Sequence, residues 1–407
     1  MHRPYKGIRI VDLTHFHAGP LCTYELALLG AEVIKVESPE GGDMLRRVTR
    51  DKGLRAAGLG ALFTGQNANK KSVVLDLKQD EGRDVFRRLV ATADVVVENM
   101  RPGAMDRLGL GYADLSAINP RLVYCALSGF GQTGPLSDRP GFDHCMQGFA
   151  GIMSVTGTQE SGPLKVGFPI ADSGTALMAA FAISSALYEA KVTGKGLLVD
   201  VSMLESCLVL QSLLVYRYLN GGEEPQRIGN DALSVAPYVG TFETKDGIIL
   251  LNPSVFRHFR QLCTSIDRED LNTDPRCENE SAAVRNRVWL RQEIQNALNA
   301  RDAEEWEEIL SRDGVPASRV RTIPEALAEA QTKARSAVTH LRDIEGAPDG
   351  VRTLNVGFRL GQEAPAPERS PPRLGEHTLE VLEDIGLDRD EIARLLTERV
   401  AVAAAPL

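Results

Sequence analysis

The sequence lacks the short motifs that mark several large enzyme classes. No G-x-G-x-x-G follows the first predicted strand, and G-x-x-x-x-G-K-[ST], G-x-S-x-G and H-E-x-x-H do not occur in the chain. Those patterns carry, respectively, a dinucleotide-binding turn, a P-loop, an α/β-hydrolase nucleophile and a zincin metal site. The chain is therefore not predicted to be a simple dehydrogenase, NTPase, α/β-hydrolase or zincin.

Positive charge, paired cysteines and long apolar runs are also scarce. Among 407 residues, 46 basic and 55 acidic side chains give a formal charge of −9, so nucleic acid and anionic membrane are not attracted in general. The six cysteines form no C-x-x-C pair, which favours reduced thiols. No secretory h-region and no uncharged apolar run of about 18 residues is visible. We expect a cytoplasmic protein without a nucleic-acid or membrane partner.

The first half of the chain alternates predicted strands with predicted helices. The runs Ile8–Asp12, Glu32–Glu37, Ser72–Leu77, Asp94–Glu98 and Leu122–Ser128 read as strands. Their nearly continuous Val, Ile and Leu content is typical of strands buried on both faces. Strand–helix–strand units pair in parallel. The sequence therefore predicts a doubly wound α/β domain whose ligands lie beyond the carboxyl ends of the strands.

Polar segments follow several of these strands. The histidines of His15–Pro20 sit where a loop meets a helix N-terminus, which favours an anion, although an ordinary loop with local hydrogen bonds fits equally. No third ligand accompanies His15 and His17, so a metal site is not predicted. Asn67–Lys71 and Asn99–Arg107 place cations near sheet edges, either for phosphate or as solvated basic loops.

Two acidic residues in the middle of the chain have two interpretations each. Asp172 precedes a long helix of small residues, Asp172–Ala190, and reads as its N-cap. It also reads as an ionised covalent nucleophile at a helix N-terminus, with small Ser173 and Gly174 leaving room for a ligand. Asp143 and His144 fit either acid–base chemistry or capping of the next helix.

An ordered series of motifs resembles the family III CoA-transferases, which include formyl-CoA, carnitine and succinyl-CoA:dicarboxylate CoA-transferases and the related α-methylacyl-CoA racemases. The motifs are DLTHFHAGP, LGAEVIKVE, GGDMLRR, NANKKSVVLDLK, DVVVENMRPG, LGLGY, GFGQTGP, RPGFD, GFPIADSGTAL, TGKG and PRLGEHT. They extend from residue 12 to about residue 385.

The resemblance implies a fold and an assembly that the periodicity of apolar residues does not predict. It implies a Rossmann-like large domain built from both chain ends, a smaller inserted α+β domain, and an interlocked homodimer. The corresponding divisions are 1–200 for the first part of the CoA-binding large domain, 201–226 for a linker helix, 227–330 for the small domain, and 331–407 for a linker and the return to the large domain.

The resemblance also implies chemistry. Asp172 falls on the catalytic aspartate, which forms an acyl-aspartyl anhydride and then an aspartyl-CoA thioester; His17 and Asp143 are neighbours of the reaction centre. The substrates implied are an acyl-CoA and a small organic acid, with no tightly bound cofactor. The implied CoA contacts are His17, Ala18, Leu75, Asp76, Leu77, Lys78, Asn99, Met100, Arg101, Arg107, Gly141, Phe142 and Asp143.

Three departures narrow the expected activity. Ser38 stands where formyl-CoA transferase has a CoA-binding arginine. The triplet Gly141–Asp143 has Phe142 where racemases carry a catalytic histidine, which argues against racemisation. Ile248–Val255 reads IILLNPSV in place of a glycine-rich substrate loop, so the succinyl-CoA:dicarboxylate branch is favoured over oxalate. A racemase and a non-catalytic CoA-binding protein are the alternatives.

Overall fold

The computed structural model describes residues 2–231, 236–342, 344 and 346–404. The chain forms two compact units. The large unit contains Met1–Ile152, Lys165–Glu224 and Ala330–Leu407, and the small unit contains Met153–Leu164 and Pro225–Glu329.

Strands and helices alternate through the first part of the large unit. The described strands are β1 Arg9–Asp12, β2 Glu32–Glu37, β3 Lys71–Leu75, β4 Val95–Glu98, β5 Val123–Ser128, β6 Gly157–Thr158, β7 Gly162–Pro163, β8 Leu198–Ser202, β9 Gly240–Glu243, β10 Ile248–Leu251, β11 Ala317–Arg319, β12 Val338–Leu341, β13 Val351–Leu354 and β14 Ala401–Val402.

The described α-helices are α1 Ala18–Leu28, α2 Lys52–Ala56, α3 Ala61–Gly65, α4 Asp80–Ala91, α5 Ala104–Arg107, α6 Tyr112–Ile118, α7 Asp143–Phe149, α8 Ile152–Val155, α9 Ile170–Thr193, α10 Met203–Leu210, α11 Ser212–Gly221, α12 Phe256–Ser265, α13 Glu280–Arg285, α14 Arg287–Leu298, α15 Ala303–Arg312, α16 Ile323–Ala328, α17 Ala330–Ala334, α18 Thr378–Asp384 and α19 Arg389–Thr397. Single 3₁₀ turns cover Met44–Arg47, Glu269–Asn272 and Pro275–Cys277.

The large unit is built on a seven-stranded sheet of order β14-β3-β2-β1-β4-β5-β8. Every strand pairs in parallel except β14, which runs antiparallel to β3. The chain moves outward in one direction from β1 to β3 and in the other from β4 to β8. The switch point therefore lies between β1 and β4, where doubly wound sheets bind their ligands. The predicted α/β class with a mainly parallel sheet is confirmed.

Helices cover both faces of this sheet because its strands are apolar on both sides. On one face α1 and α9 pack against Ile10, Val95 and Val97. On the other, α4, α6, α18 and α19 pack against Val11 and Val96. Alternate residues of the same strand thus enter opposite cores, as the two-residue period of a strand requires.

Some boundaries differ from the sequence prediction. The segment 201–226, predicted as a linker helix, contains the end of β8 and then α10 and α11, which are separated at Gln211. Near the C-terminus, Ala401–Val402 forms the edge strand β14, whose short length left no periodic signal in the sequence. Residues 405–407, at the end of the predicted C-terminal part 331–407, lie outside the described residues.

The small unit has its own sheet and core. β9, β10 and β11 form an antiparallel sheet of order β11-β10-β9. Its core includes Trp306, whose indole N–H donates to the carbonyl of Leu298 at 2.7 Å, and the stacked rings of Tyr238 and Phe259. β9 and β10 form a hairpin in which Gly240 pairs with Leu251 and Glu243 with Ile248. Residues 232–235, within the predicted small domain, lie outside the described residues.

Helix α9 is long and apolar enough, by length and composition, to cross a membrane. One such helix is weak evidence, because a core helix of a soluble protein passes the same test. In this chain α9 packs along α1 and β5 in the core of the large unit, and its first turn carries Asp172. Helix α9 thus buries one side in the core of the large unit and leaves another side exposed.

Candidate active site

A cavity of about 310 Å³ lies at the carboxyl edge of the sheet. Its walls come from the loops after β1, β4 and β5, from the start of α9 and from the segment before α7. The predicted site residues that line it are His17, Ala18, Asn99, Met100, Arg101, Gly141, Phe142 and Asp172. The fold therefore brings four separate sequence segments together at the switch point.

The other predicted residues are not part of this lining. The run Leu75–Lys78 follows β3, and Lys78 forms an ion pair with Glu40 at 2.7 Å in which both side chains are 73% exposed. Arg107 lines a neighbouring cavity of about 410 Å³ that also contains Glu98. Burial raises the pKa of Glu98 to about 7.

Asp143 lies behind the cavity and holds the start of α9. Its carboxylate is 7% exposed. One oxygen accepts the backbone N–H groups of Ala171 (2.8 Å) and Asp172 (3.2 Å), and the other accepts the side-chain amide of Gln147 at 2.7 Å. Asp143 therefore supplies the acceptor that an N-cap side chain ordinarily provides. The sequence analysis considered Asp143 only for acid–base chemistry or for capping the next helix. It did not predict this role, because Asp143 is the first residue of α7 and caps the more distant helix α9.

Asp172 is a first-turn residue of α9 and not its N-cap. The helix begins at Ile170 and the N-cap position is Pro169, so the predicted start was two residues late. The signal was misleading because the capping carboxylate comes from elsewhere in the fold. Gly174 was also misread, since it faces α10: a Cβ there would lie 2.4 Å from Leu210 Cδ1.

The Asp172 carboxylate is half-buried and its pKa is raised to about 6. Burial is the main cause, and the nearby Asp143 carboxylate adds to it, while a positive charge on His17 or His144 would act in the opposite direction. The group is still mainly ionised at neutral pH. A carboxylate with a raised pKa is more basic than an ordinary one, which suits a nucleophile.

His17 connects Asp172's helix to a buried glutamine. Its Nδ1 lies 2.8 Å from Oε1 of Gln66, and its Nε2 lies 3.1 Å from Oγ of Ser173. Gln66, which is 4% exposed, also donates from its amide nitrogen to the carbonyl oxygen of Phe16. The sequence indicated His17, but no pattern in it pointed to Gln66.

Asn99 joins the two loops that flank the switch point. Its Oδ1 accepts the backbone N–H of His15 at 2.9 Å, and its Nδ2 donates to the carbonyl of His15 at 2.8 Å. The amide thus forms a two-bond bridge between the end of β4 and the loop after β1. Both polar atoms of the Asn99 side chain therefore form hydrogen bonds within the fold.

The predicted basic cluster at Asn67–Lys71 is neither solvated nor free for phosphate. Lys70 is buried and bonds Asp12 at 3.0 Å and the carbonyl of Pro20 at 2.9 Å. Lys71 pairs with Glu32 and Glu380 at 2.6 and 2.8 Å. Both ammonium groups therefore stabilise the fold, which is a third outcome that the sequence analysis did not consider.

A buried ionic network lies beneath the loop after β1. Burial alone would raise the pKa of Asp12, but the charges of Lys70 and Lys35 outweigh it and hold the pKa well below its usual range. Lys35 also donates to the carbonyl of Thr14 at 2.6 Å. The two lysines thus hold backbone carbonyls at both ends of the His15–Gly19 segment.

Three guanidinium groups remain available at the site. Arg101 and Arg139 are exposed and line the Asp172 cavity, and the exposed Arg107 lines its neighbour. None of the three has an ion pair with a described residue. Arg139 was not among the predicted site residues, although the RPGFD motif and its charge were a usable signal.

Two features of the 129–144 region bear on specificity. Gly129 and Gly141 pack backbone to backbone, since a Cβ on Gly129 would lie 2.7 Å from the Cα of Gly141. The exposed Phe142 faces the cavity, whereas His144 is exposed, lies 4.0 Å from Asp143, and is not part of the lining. Among the described residues, no group of three or more His, Cys, Asp or Glu side chains is arranged for a metal ion.

Comparison with known proteins agrees with this geometry. The family model for CoA-transferase family III matches residues 5–378. A succinate–glutarate CoA-transferase of Agrobacterium fabrum is 36% identical over 388 residues, covering 94% of this chain and 96% of the relative. An acetyl-CoA:oxalate CoA-transferase of Acetobacter aceti is 37% identical over 334 residues, covering 82% and 85%.

A solved structure has the same fold. The crystal structure of a CaiB/BaiF family protein from Brucella suis superposes with a TM-score of 0.84 and 34% identity, covering 95% of this chain and all of the other. The family predicted from the ordered motifs is therefore confirmed. The chain belongs to CoA-transferase family III.

Proposed function

We propose that this CoA-transferase moves CoA from succinyl-CoA or a similar acyl-CoA to a small carboxylate or dicarboxylate, with Asp172 as the covalent nucleophile. The observation that carries the proposal is the position of Asp172: a half-buried carboxylate of raised pKa that lines the cavity at the switch point. Succinyl-CoA:dicarboxylate transfer is the activity named for several relatives, which supports this choice of substrates.

The reaction divides into balanced steps. The Asp172 carboxylate attacks the thioester carbonyl, and the C–S bond breaks to give an acyl-aspartyl anhydride and CoA thiolate. The thiolate attacks the aspartyl carbonyl and releases the donor acid as its carboxylate. The acceptor carboxylate then attacks the aspartyl thioester, and the C–S bond breaks to give a second, acceptor–aspartyl anhydride and CoA thiolate. The thiolate attacks the acceptor carbonyl of this anhydride, which forms the new acyl-CoA and releases the Asp172 carboxylate. Each step exchanges one acyl leaving group for another, so no external proton donor is required.

The walls of the cavity fit these charges. The N-terminus of α1, at Ala18, lines the cavity and presents the positive end of a helix to an anion. The first N–H groups of α9 are not available, because Asp143 accepts them. Arg101, Arg107 and Arg139 supply cations for the phosphates of CoA.

We also propose that the two compact units are the large and small domains implied by the family, and that the protein is an interlocked homodimer. Helix α9 leaves Leu177, Phe181, Tyr188 and Val192 more than half exposed along one face. The adjoining α10 and α11 expose several further apolar side chains, including Tyr216. A monomer rarely leaves such a continuous apolar surface in water, and a second copy is the occupant that we propose.

The assembly has a direct test. Light scattering coupled to size exclusion is expected to give a dimer for the native chain and loss of dimer, or of soluble protein, for Phe181→Glu. Val288→Glu is the matched control, because Val288 is 82% exposed on α14 of the small unit. A native monomer, or an unchanged dimer with Phe181→Glu, contradicts the proposed interface.

The chemistry is tested by trapping. After incubation with succinyl-CoA, borohydride or hydroxylamine is expected to modify the native protein on the peptide that contains Asp172. Asp172→Asn keeps the shape and removes the nucleophile, so no adduct is expected. Adduct formation at another residue, or full turnover by Asp172→Asn, would refute the proposed nucleophile.

A further inference from the structure

The segment after β1 is held by side chains that form hydrogen bonds to its backbone. Lys35 bonds the carbonyl of Thr14, and Asn99 bonds both backbone groups of His15. Gln66 bonds the carbonyl of Phe16. Phe16 has a φ of 74°, in the left-handed region that few non-glycine residues adopt, so these bonds hold a conformation that the chain alone disfavours.

The bonds of Gln66 determine which way its amide points. The carbonyl oxygen of Phe16 can only accept a hydrogen bond, so the NH₂ group of Gln66 must face it. The amide oxygen is then the atom beside His17, at 2.8 Å from Nδ1. An amide oxygen also can only accept. Nδ1 of His17 must therefore carry a hydrogen.

The tautomer of His17 follows from this hydrogen. In the neutral ring one nitrogen is protonated and the other has a lone pair. With the hydrogen on Nδ1, Nε2 is an acceptor, and the hydroxyl group of Ser173, 3.1 Å away, donates to it. The bonds then run in one direction, from Ser173 through His17 to Gln66 and the carbonyl of Phe16.

We propose that Gln66 is a positioning residue for CoA transfer, which fixes neutral His17 in its Nδ1–H tautomer and so turns the Ser173 hydroxyl hydrogen away from Asp172. The catalytic part rests on the proposed function. Ser173 directly follows Asp172 on the first turn of α9. A hydroxyl group that donated to the carboxylate would occupy a lone pair needed for attack and make it less nucleophilic.

Loss of Gln66 removes the constraint. With no acceptor at Nδ1, the hydrogen moves to Nε2, and Nε2 then donates to Oγ of Ser173. The serine hydroxyl hydrogen is released and becomes available to Asp172. The expected consequence is a slower chemical step with little change in CoA binding, because Gln66 lies behind His17 and is not part of the cavity lining.

The tautomer can be measured without any turnover. We would record ¹⁵N spectra of ring-labelled histidine in the native protein at pH 8, assigning the His17 signals by their loss in His17→Ala. A protonated Nδ1 and an unprotonated Nε2 are expected for native His17. The opposite pattern in the native protein overturns the proposal, even if no variant folds.

Two variants of Gln66 separate positioning from general stability. Gln66→Leu is expected to shift His17 to Nε2–H and to lower kcat about tenfold to a hundredfold, with KM for acyl-CoA changed less than about threefold. Gln66→Glu keeps an acceptor beside Nδ1, but its negative charge favours a doubly protonated ring whose Nε2 also donates, so the Nδ1–H signal is expected to persist without recovery of kcat. If Gln66→Leu retains the Nδ1–H signal or the native kcat, or if Gln66→Glu recovers kcat with both ring nitrogens protonated, the proposal is wrong.

A control shows what loss of a structural amide does by itself. Asn119 follows α6 as Gln66 follows α3, and its amide also donates to backbone carbonyls, those of Val90 and Ala93. Asn119→Leu is expected to lower thermal stability without changing kcat or the His17 spectrum.

The trapping experiment distinguishes failure of the proposed function from failure of this inference. If no adduct forms on Asp172 while the His17 tautomer still depends on Gln66, Asp172 is not the nucleophile, but the hydrogen bonds from Ser173 through His17 to Gln66 are as proposed.

Discussion

The loops after β1 and after β4 meet at the switch point but are built in opposite ways. In the β1 loop, buried lysines and amides hold the backbone from Thr14 to Pro20. In the β4 loop, Arg101 and Arg107 are exposed and have no ion pair with a described residue. The backbone of the first loop is held in place by hydrogen bonds, whereas the second loop presents cations at the surface. Under the proposed function, the first loop fixes the reaction geometry and the second binds the phosphates of CoA.

This difference follows from what each task costs. A reacting group must stay within a fraction of an ångström of its position, so ordering it before the substrate binds favours the reaction. A contact between an arginine and a phosphate tolerates small shifts of the side chain, so it need not be ordered in advance. An arginine paired with a carboxylate would have to break that ion pair before it could bind the phosphate. The contrast could not be predicted from the sequence, because the side chains that hold the β1 loop, such as Lys35, Gln66 and Lys70, lie in distant segments of the chain.

The largest expected effect comes from breaking the network beneath the β1 loop. Lys70→Met leaves the Asp12 carboxylate buried without its partner, which typically costs about 3–5 kcal/mol of the free energy of unfolding. Urea denaturation followed by circular dichroism measures this loss. The double variant Asp12→Asn with Lys70→Met is expected to recover a large part of it. Equal stability of Lys70→Met and the native protein would show that the network does not hold the loop.

The next effect concerns Asp172, whose pKa of about 6 in the folded protein lies above the ordinary aspartate value of 3.8. For a raised carboxyl pKa, the contribution to stability is present below the unfolded pKa and is lost as pH rises through the folded value. Asp172→Asn avoids this loss, so it is expected to be more stable at pH 7.5 by up to about 3 kcal/mol, with a smaller difference at pH 4.5. Thermal unfolding at the two pH values measures it.

The same pKa predicts the pH dependence of the reaction. The ionised carboxylate is the nucleophile, so kcat/KM is expected to fall about tenfold per pH unit below pH 6 and to level off above it. A rate that stays constant down to pH 5 would contradict the assigned role. An inactive Asp172→Asn that is no more stable than the native protein would instead contradict the burial argument.

Sequence and structure agree where local pattern decides the outcome. The apolar runs of β2 and β4 were readable because buried parallel strands need apolar residues on both faces. The start of α9 was not readable, because Asp143 caps it from another segment. Lys70 was not readable either, since its partner Asp12 lies 58 positions away in the chain. Eight of the site residues predicted from the family motifs line the cavity, His17 and Asp172 among them. Gln66, which contacts the backbone of the β1 loop, lies outside every motif.

A smaller effect is expected from the free cations of the β4 loop. Arg101→Ala removes a charged hydrogen bond to phosphate, typically about 1.5–3 kcal/mol, so KM for acyl-CoA is expected to rise about tenfold to a hundredfold while kcat changes little. Arg107→Ala is expected to act in the same direction. Lys71→Ala serves as the control, because Lys71 pairs with Glu32 and Glu380. A fall in kcat with unchanged KM would mean that Arg101 serves the reaction centre.

The smallest effect is expected at Lys78, which the family resemblance places among the CoA contacts. Its ammonium is already paired with Glu40 in an exposed ion pair, and such pairs contribute little to stability. Lys78→Ala is therefore expected to raise KM less than about threefold, and Glu40→Gln, which frees the lysine, to lower KM slightly. A tenfold rise in KM for Lys78→Ala would show that CoA displaces Glu40. The loop after β3 would then bind the phosphates of CoA, as we propose for the β4 loop.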